Sequence, residues 1–249
     1  PICSLPSRAQ LDADLALIAR HTQRIRTYAI DDELAEIPTL ARRHGLEVTL
    51  GIALDPREWP SSTETNAARL SRLAEIVASN PNVTRVIVGN ESVLAGDWTV
   101  AELSAVLDEL RATLDVPVGT AEPWNIWAAN PELAEHVDFI GVHMLPYWEG
   151  IDARVAVEHV DARMRDLQAQ FNAKPVVIDE VGWPSFGRSR AASTASASNA
   201  VAFARSFLRH AETEGYDYFY LEAFDQPWKR AEEGDVGALV PTRGLQFAH

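Results

Sequence analysis

Along the chain the hydrophobic positions switch repeatedly between the three-to-four spacing of a helix and the alternating or unbroken runs of a strand. Leu11, Leu15 and Ile18 share one helical face, and Ser7 with Gln10 three residues on makes a capping box, so a helix is predicted over about residues 8–20. Arg24-Ile25-Arg26-Thr27-Tyr28-Ala29-Ile30 then alternates as a strand. Asp31 or Asp32 opens a helix that runs through Arg43 and stops at His44-Gly45. The unit recurs as strand 46–54, helix 64–79, strand 83–90, helix 99–113, strand 116–122, helix 131–135, strand 137–145, helix 152–171, strand 174–180, helix 193–214 and strand 217–224. Such alternation in a single domain, residues 1–249, implies a parallel sheet, either doubly wound or closed as a (β/α)8 barrel.

The residues at the strand ends decide between the two. Tyr28, Asp55, Glu91, Glu122, His143, Glu180 and Glu222 each stand at or just past the end of a strand. A doubly wound sheet concentrates such residues at one switch point, whereas a barrel gathers every strand end around one mouth. No Gly-rich dinucleotide or Walker loop follows any strand. The expected fold is therefore α/β, a (β/α)8 TIM barrel. Seven strands are counted from Arg24, and a barrel needs eight. The tail Gly244-Leu245-Gln246-Phe247-Ala248-His249 alternates like a short strand, and residues 243–249 are expected to close the barrel between the strands at 217 and 24. That closure makes the chain order a circular permutation, with the first barrel strand at the C-terminus; the alternative is a disordered tail.

Composition narrows the ligand. With 249 residues and 47% hydrophobic content the chain can bury a sizeable core. A net charge of -14 repels nucleic acid and anionic membrane surfaces, and no run of about 18 apolar residues is present, so a neutral or cationic ligand is expected. Cys3 is the only cysteine, the histidines are scattered, and neither His-Glu-x-x-His nor Gly-x-Ser-x-Gly occurs. No metal, cofactor or nucleophilic serine is expected. A start at Pro1-Ile2-Cys3 reads as a mature or excised domain of an extracytoplasmic protein, periplasmic or secreted, and a monomer is expected.

Two stretches carry the chemistry. Pro175-Val176-Val177-Ile178-Asp179-Glu180-Val181-Gly182-Trp183-Pro184-Ser185-Phe186-Gly187 is a buried strand that ends in a carboxylate and turn residues; Val86-Ile87-Val88-Gly89-Asn90-Glu91-Ser92 repeats the design. Two acids at one rim are the minimum for glycosidic chemistry. Asn90 suits a hydrogen bond to a sugar 2-hydroxyl, or a turn. Arg26 and Tyr28 share a strand face and point either at a catalytic carboxylate or into a purely structural ion pair. Trp124, Trp148, Trp183 and Trp228 follow strand ends as candidate platforms for pyranose rings. Tyr147, Glu122, Glu222 and Lys229 are candidates for hydroxyl contacts, the two glutamates also for tuning the charge of the site. His143 would orient a neighbouring carboxylate or be a hydrogen-bonded core histidine. Residues 191–198, rich in Ala and Ser, read as a mobile loop entering a helix.

Val88-Gly89-Asn90-Glu91-Ser92, Asp179-Glu180-Val181-Gly182-Trp183-Pro184-Ser185 and Glu222-Ala223-Phe224-Asp225-Gln226-Pro227-Trp228-Lys229 resemble the three signatures of glycoside hydrolase family 17, the β-1,3-glucanases and their bacterial transglycosylase relatives. Thr120-Ala121-Glu122-Pro123-Trp124 and His143-Met144-Leu145-Pro146-Tyr147-Trp148 resemble the bacterial branch in particular. The resemblance implies a retaining enzyme with Glu91 as acid/base after the fourth strand and Glu180 as nucleophile after the seventh, a count that needs the tail as strand one. Val181 departs from the family's common Thr. The substrate implied is a β-1,3-glucan oligosaccharide, with glucanosyl transfer favoured over endo-hydrolysis. A glucan-binding barrel without catalysis is the rival reading. For Glu91 to act as the acid, burial and the second carboxylate are expected to raise its pKa.

Overall fold

Strand β1 (Arg24–Arg26) pairs in parallel with β2 (Glu47–Ile52), and parallel pairing continues in chain order through β3 (Val83–Asn90), β4 (Val118–Pro123), β5 (Phe139–Met144), β6 (Val176–Val181) and β7 (Tyr218–Tyr220). This computed structural model describes residues 6–54 and 65–224 and the backbone of 246–248. Helices α1 (Arg8–Ile18), α2 (Ile37–Arg43), α3 (Asn66–Ser79), α4 (Val100–Thr113), α5 (Trp124–Ala129), α6 (Ala156–Gln170) and α7 (Ala197–Glu214) intervene. The strands follow one another around a ring, which is the barrel and not the doubly wound sheet.

The tail does close the ring, but in the other direction. Strand β8 (Gln246–Ala248) pairs Phe247 with Ile25 of β1 and with Tyr220 of β7. It runs antiparallel to both, whereas a permuted first strand of a βα unit would run parallel to β1. The permutation is corrected accordingly: the tail occupies the ring position of strand one without its direction. Backbone N–H and C=O groups of the two flanking strands are satisfied by either orientation. Counted from β8, β3 is still fourth in the ring and β6 seventh.

Two boundaries differ in ways that matter below. The strand predicted over 24–30 stops at Arg26, and the following helix begins as a 3-10 turn, Asp32–Glu36, before α2 takes over with Pro38 in its first turn, where no N–H is needed. Helix α5 follows β4 without a loop, and the helix predicted over 131–135 is a 3-10 turn, Pro131–His136. At α1 the sequence signal holds, with Ser7 and Gln10 forming their reciprocal box, and Thr99 and Glu102 form a second at α4.

The apolar side chains divide by strand face. Val86 and Val88 of β3 join the large core between strands and helices, while Ile87 between them joins Ala121, Phe139, Val177 and Phe219, one residue from each of five consecutive strands. That small cluster is the apolar part of the barrel interior, and polar side chains occupy the interior around it. Below the cluster Arg85 lies over the Phe139 ring and, with Arg24, pairs Asp217. At the mouth end lies buried Arg26.

Candidate active site

Each of the two acids follows a bulge in its strand. Between Ile178 and Val181, β6 has one more residue than either neighbour: Val142 and His143 pair with Ile178 and Glu180, while Tyr218 and Tyr220 pair with Ile178 and Val181. Successive side chains of a regular strand point to opposite faces; the extra residue relaxes that rule and admits both Asp179 and Glu180 to the barrel interior. Their carboxyls are fully buried. Between Ile87 and Asn90, β3 likewise has one residue more than β4. Gly89 takes up that irregularity at φ 78°, and Glu91 follows at φ 55°. A left-handed glutamate costs of order 1–3 kcal/mol and persists only where the surroundings hold it.

Six of the predicted residues meet in one network. Arg26 Nη1 donates to Glu180 Oε1 at 3.1 Å and to the Asp179 carbonyl at 2.9 Å, and Nη2 donates to Asn90 Oδ1 at 2.7 Å. Tyr28 Oη donates to the same Glu180 Oε1 at 2.9 Å and its ring lies 4.4 Å from the Arg26 guanidinium carbon. His143 stands between the acids. Its Nδ1 is 2.8 Å from Glu91 Oε1, while Nε2 faces Glu180 Oε1 at 3.4 Å, close enough for attraction but without a hydrogen bond. Glu180 Oε2 has no hydrogen-bond partner among the described residues, so one oxygen is held and the other is left with its lone pairs. Glu91 is 27% exposed at the side chain and Glu180 0%, which sets the two at different depths of the mouth.

The electrostatics reverse one expectation. Burial alone would raise the Glu91 pKa, but the hydrogen bond and charge of His143, with Arg26 beyond it, outweigh burial and hold it below the usual carboxylate value. The same interaction works in the other direction on His143: burial pushes its pKa down, and the charges of Glu180 and Glu91 lift it above the ordinary imidazole value. The Tyr28 phenol is pushed well up by burial and by Glu180, so it remains a donor.

Other predicted residues lie elsewhere or do other work. Glu122 is fully buried, and its oxygens accept the backbone N–H groups of Val93 and Leu94 at 2.7 and 3.2 Å, fastening the turn that carries Glu91. Burial raises its pKa to about 7 against those two hydrogen bonds. Tyr147 is fully buried and donates to the Arg188 carbonyl; Trp183, 5% exposed, donates to the Thr194 carbonyl and packs edge-on against Tyr147. Neither presents a ring to solvent. Trp124 begins α5 and is engaged by Glu149, His159 and the Arg163 guanidinium, the last 4.9 Å from its ring. Trp148 is covered by Arg190 at 4.0 Å. Aromatic loops are cheaper to bury than to leave wet, and these three tryptophans and one tyrosine pack, Tyr147 and Trp183 fully and Trp124 and Trp148 in part, onto α6, α7 and the loop before α7. Residues 191–198 are bound into that packing: Ser193 is buried with its hydroxyl on the Tyr147 carbonyl, and Ser196 caps α7. Glu222 is half-buried just past β7, and Trp228 and Lys229 lie outside the described residues.

Asp179 was not singled out by the sequence. The signal was there in two adjacent acids on a strand otherwise buried on both faces, but only a bulge makes both useful. Its carboxyl rests over Gly141, where a Cβ would stand 2.0 Å from Oδ2, and neither of its oxygens has a hydrogen-bond partner among the described residues. Burial raises its pKa from 3.8 to about 6, against the charges of Arg26 and His143. The folded protein thus holds this proton more tightly than the unfolded chain does, and stability is lost as pH rises from about 4 through 6. A shift of this size corresponds to about 3 kcal/mol. Asp179→Asn is therefore expected to gain on the wild type by about that amount between pH 4 and pH 8 in thermal unfolding; a constant difference across this range would show that Asp179 does not titrate there.

A barrel mouth with two acidic side chains set about one imidazole is the equipment of a glycoside hydrolase. The chain matches the BtgE/BtgC glycoside hydrolase domain over residues 3–239. A glucan 1,3-β-glucosidase of Arthroderma benhamiae is 30% identical to it over 245 residues, 92% of this chain and 78% of that one. An active-site mutant of the Rhizomucor miehei β-1,3-glucanosyltransferase in complex with laminaritriose has a TM-score of 0.82 at 26% identity, covering 91% of this chain and 85% of that one. A crystal structure of the Rhizomucor miehei glycoside hydrolase family 17 β-1,3-glucanosyltransferase gives 0.80 at 27% over the same shares. The chain belongs to the BtgE/BtgC glycoside hydrolase domain family, of the family 17 type.

Proposed function

We propose that the protein is a retaining β-1,3-glucan-active enzyme that transfers glucanosyl units through a covalent intermediate on Glu180, with Glu91 as acid/base. The observation that carries this reading is the opposed setting of Glu91 and Glu180 on the two nitrogens of His143. Arg26 and Tyr28 hold Oε1 of Glu180, and Oε2 is the atom left to attack the anomeric carbon. As that bond forms, the C1–O bond breaks, its electron pair goes to the leaving oxygen, and Glu91 supplies the proton. In the second step Glu91 takes a proton from the acceptor hydroxyl, whose oxygen displaces Glu180. Asn90 Oδ1 is held by Arg26, which turns its amide nitrogen toward the sugar hydroxyls as a donor.

Transfer over hydrolysis draws its support from the likeness to the glucanosyltransferase structures. The hydrolytic reading has an observation of its own in the relatives named as glucan 1,3-β-glucosidases. Action outside the cytoplasm, as a monomer of the family's bacterial branch, belongs with the same proposal. Incubation with laminaripentaose tests it: products both longer and shorter than the substrate are expected, and glucose with short oligomers alone would replace transferase by hydrolase.

A further inference from the structure

We propose that His143 is the proton store of the acid/base: the proton on its Nδ1 passes to Glu91 as Glu91 protonates the leaving oxygen, and returns when Glu91 deprotonates the acceptor. This rests on the reading of Glu91 given above. The path is a single hydrogen bond of 2.8 Å, within the range of charge-assisted bonds. His143 is 1% exposed, so bulk water does not compete for that nitrogen. Nε2 makes no hydrogen bond among the described residues, which leaves Nδ1 as the nitrogen that hands a proton on.

The charges around the ring come from four strands. Glu91 after β3, Glu122 on β4, and Asp179 and Glu180 on β6 stand against Arg26 on β1, with the neutral Tyr28 phenol beside it. The acids outweigh Arg26 and burial at the imidazole while the same hydrogen bond lowers Glu91, so before substrate binds the shared proton is favoured on Nδ1 over the Glu91 carboxylate. With His143 beside it Glu91 rests as a carboxylate, which has no proton of its own to give, so the proton for the leaving oxygen comes from Nδ1 across their hydrogen bond.

The relay balances. Before reaction the site holds imidazolium, two carboxylates and the intact glycoside. Afterwards it holds neutral imidazole, the Glu91 carboxylate, a neutral glycosyl ester at Glu180 and the released alcohol. The proton has moved from Nδ1 through the Glu91 carboxyl to the leaving oxygen. Forming the ester also removes the negative charge at Glu180, the first cause of the lifted His143 pKa, so the imidazole gives up its proton as the sugar is captured. Glu91 is then already a base for the acceptor, and the second step restores the imidazolium.

His143→Gln separates this from a merely structural role. The alkaline limb of kcat/KM on laminaripentaose is expected to move down by about one pH unit, because the remaining proton site is Glu91 alone. Loss of activity should be at least about ten-fold greater on laminaripentaose than on 2,4-dinitrophenyl β-laminaribioside, whose leaving group needs no proton. Equal losses on both with an unmoved limb would overturn the relay. Against misfolding of that variant, NMR titration of His143 provides a second measurement: its midpoint is expected to fall in Glu91→Gln and in wild type trapped as a 2-deoxy-2-fluoroglycosyl ester, and an unchanged midpoint in both would also overturn it. Wild type that turns over neither substrate sinks the glucan reading and the relay together; turnover without these shifts sinks the relay alone.

Discussion

Glu180→Gln is expected to lower turnover of laminari-oligosaccharides by at least about 10³-fold, because the variant has no atom to form the glycosyl ester. The amide matches the carboxylate in shape, and its oxygen can still accept from Arg26 and Tyr28 at the positions now 3.1 and 2.9 Å from Oε1. Folding and sugar binding should therefore survive, and calorimetry with laminaritriose checks the binding. What changes is the atom on the other side, where Oε2 becomes a nitrogen whose lone pair is delocalised. Mass spectrometry after a 2-deoxy-2-fluoro donor should show an adduct on wild type and none on the variant. Turnover within ten-fold of wild type would mean that another group attacks, and the assignment of Glu180 would fall.

The largest effect on stability is expected from Arg26→Met. Arg26 is 1% exposed, and its guanidinium reaches Glu180, the Asp179 carbonyl and Asn90 together. Methionine replaces the stem but leaves the acids of β6 buried without the cation that faces them. Breaking a buried pair from one side costs about 3–5 kcal/mol, far more than an exposed pair contributes. The pH dependence distinguishes charge from packing. Without Arg26 the Asp179 carboxyl holds its proton to still higher pH, so the variant loses stability as pH rises, and its deficit should be larger at pH 8 than at pH 4. An equal deficit at both, measured by thermal unfolding, would assign Arg26 to packing alone. Turnover should fall as well, since Glu180 Oε1 and Asn90 Oδ1 lose the donor that sets them.

The residues legible in the chain were those whose role depends on local order. Consecutive β-branched residues broken by an acid and a turn marked the ends of β3 and β6, and they placed Glu91 and Glu180 at a rim without reference to any partner. Arg26, Tyr28, Asn90 and His143 were legible as strand-end polar groups, with roles left open between site and core. Which aromatic rings turn inward was not legible for a physical reason: a ring after a strand end looks the same in sequence whether it faces a sugar or the loop packed beneath it. Trp183 and Tyr147 took the second course, because α7 and residues 191–198 supply surface to bury them.

The order of amino acids by itself determined the alternation of strands and helices, the ring that follows from it, and the two acids at its mouth, since each depends on periodicity and local turn chemistry. Only the tertiary structure decided which groups share a field. The bulge that brings Asp179 inward beside Glu180, the antiparallel run of β8, and the imidazole that hydrogen-bonds Glu91 all arise between segments far apart in the chain. Burial and Coulomb energy depend on distance through space, and sequence spacing carries no measure of that distance.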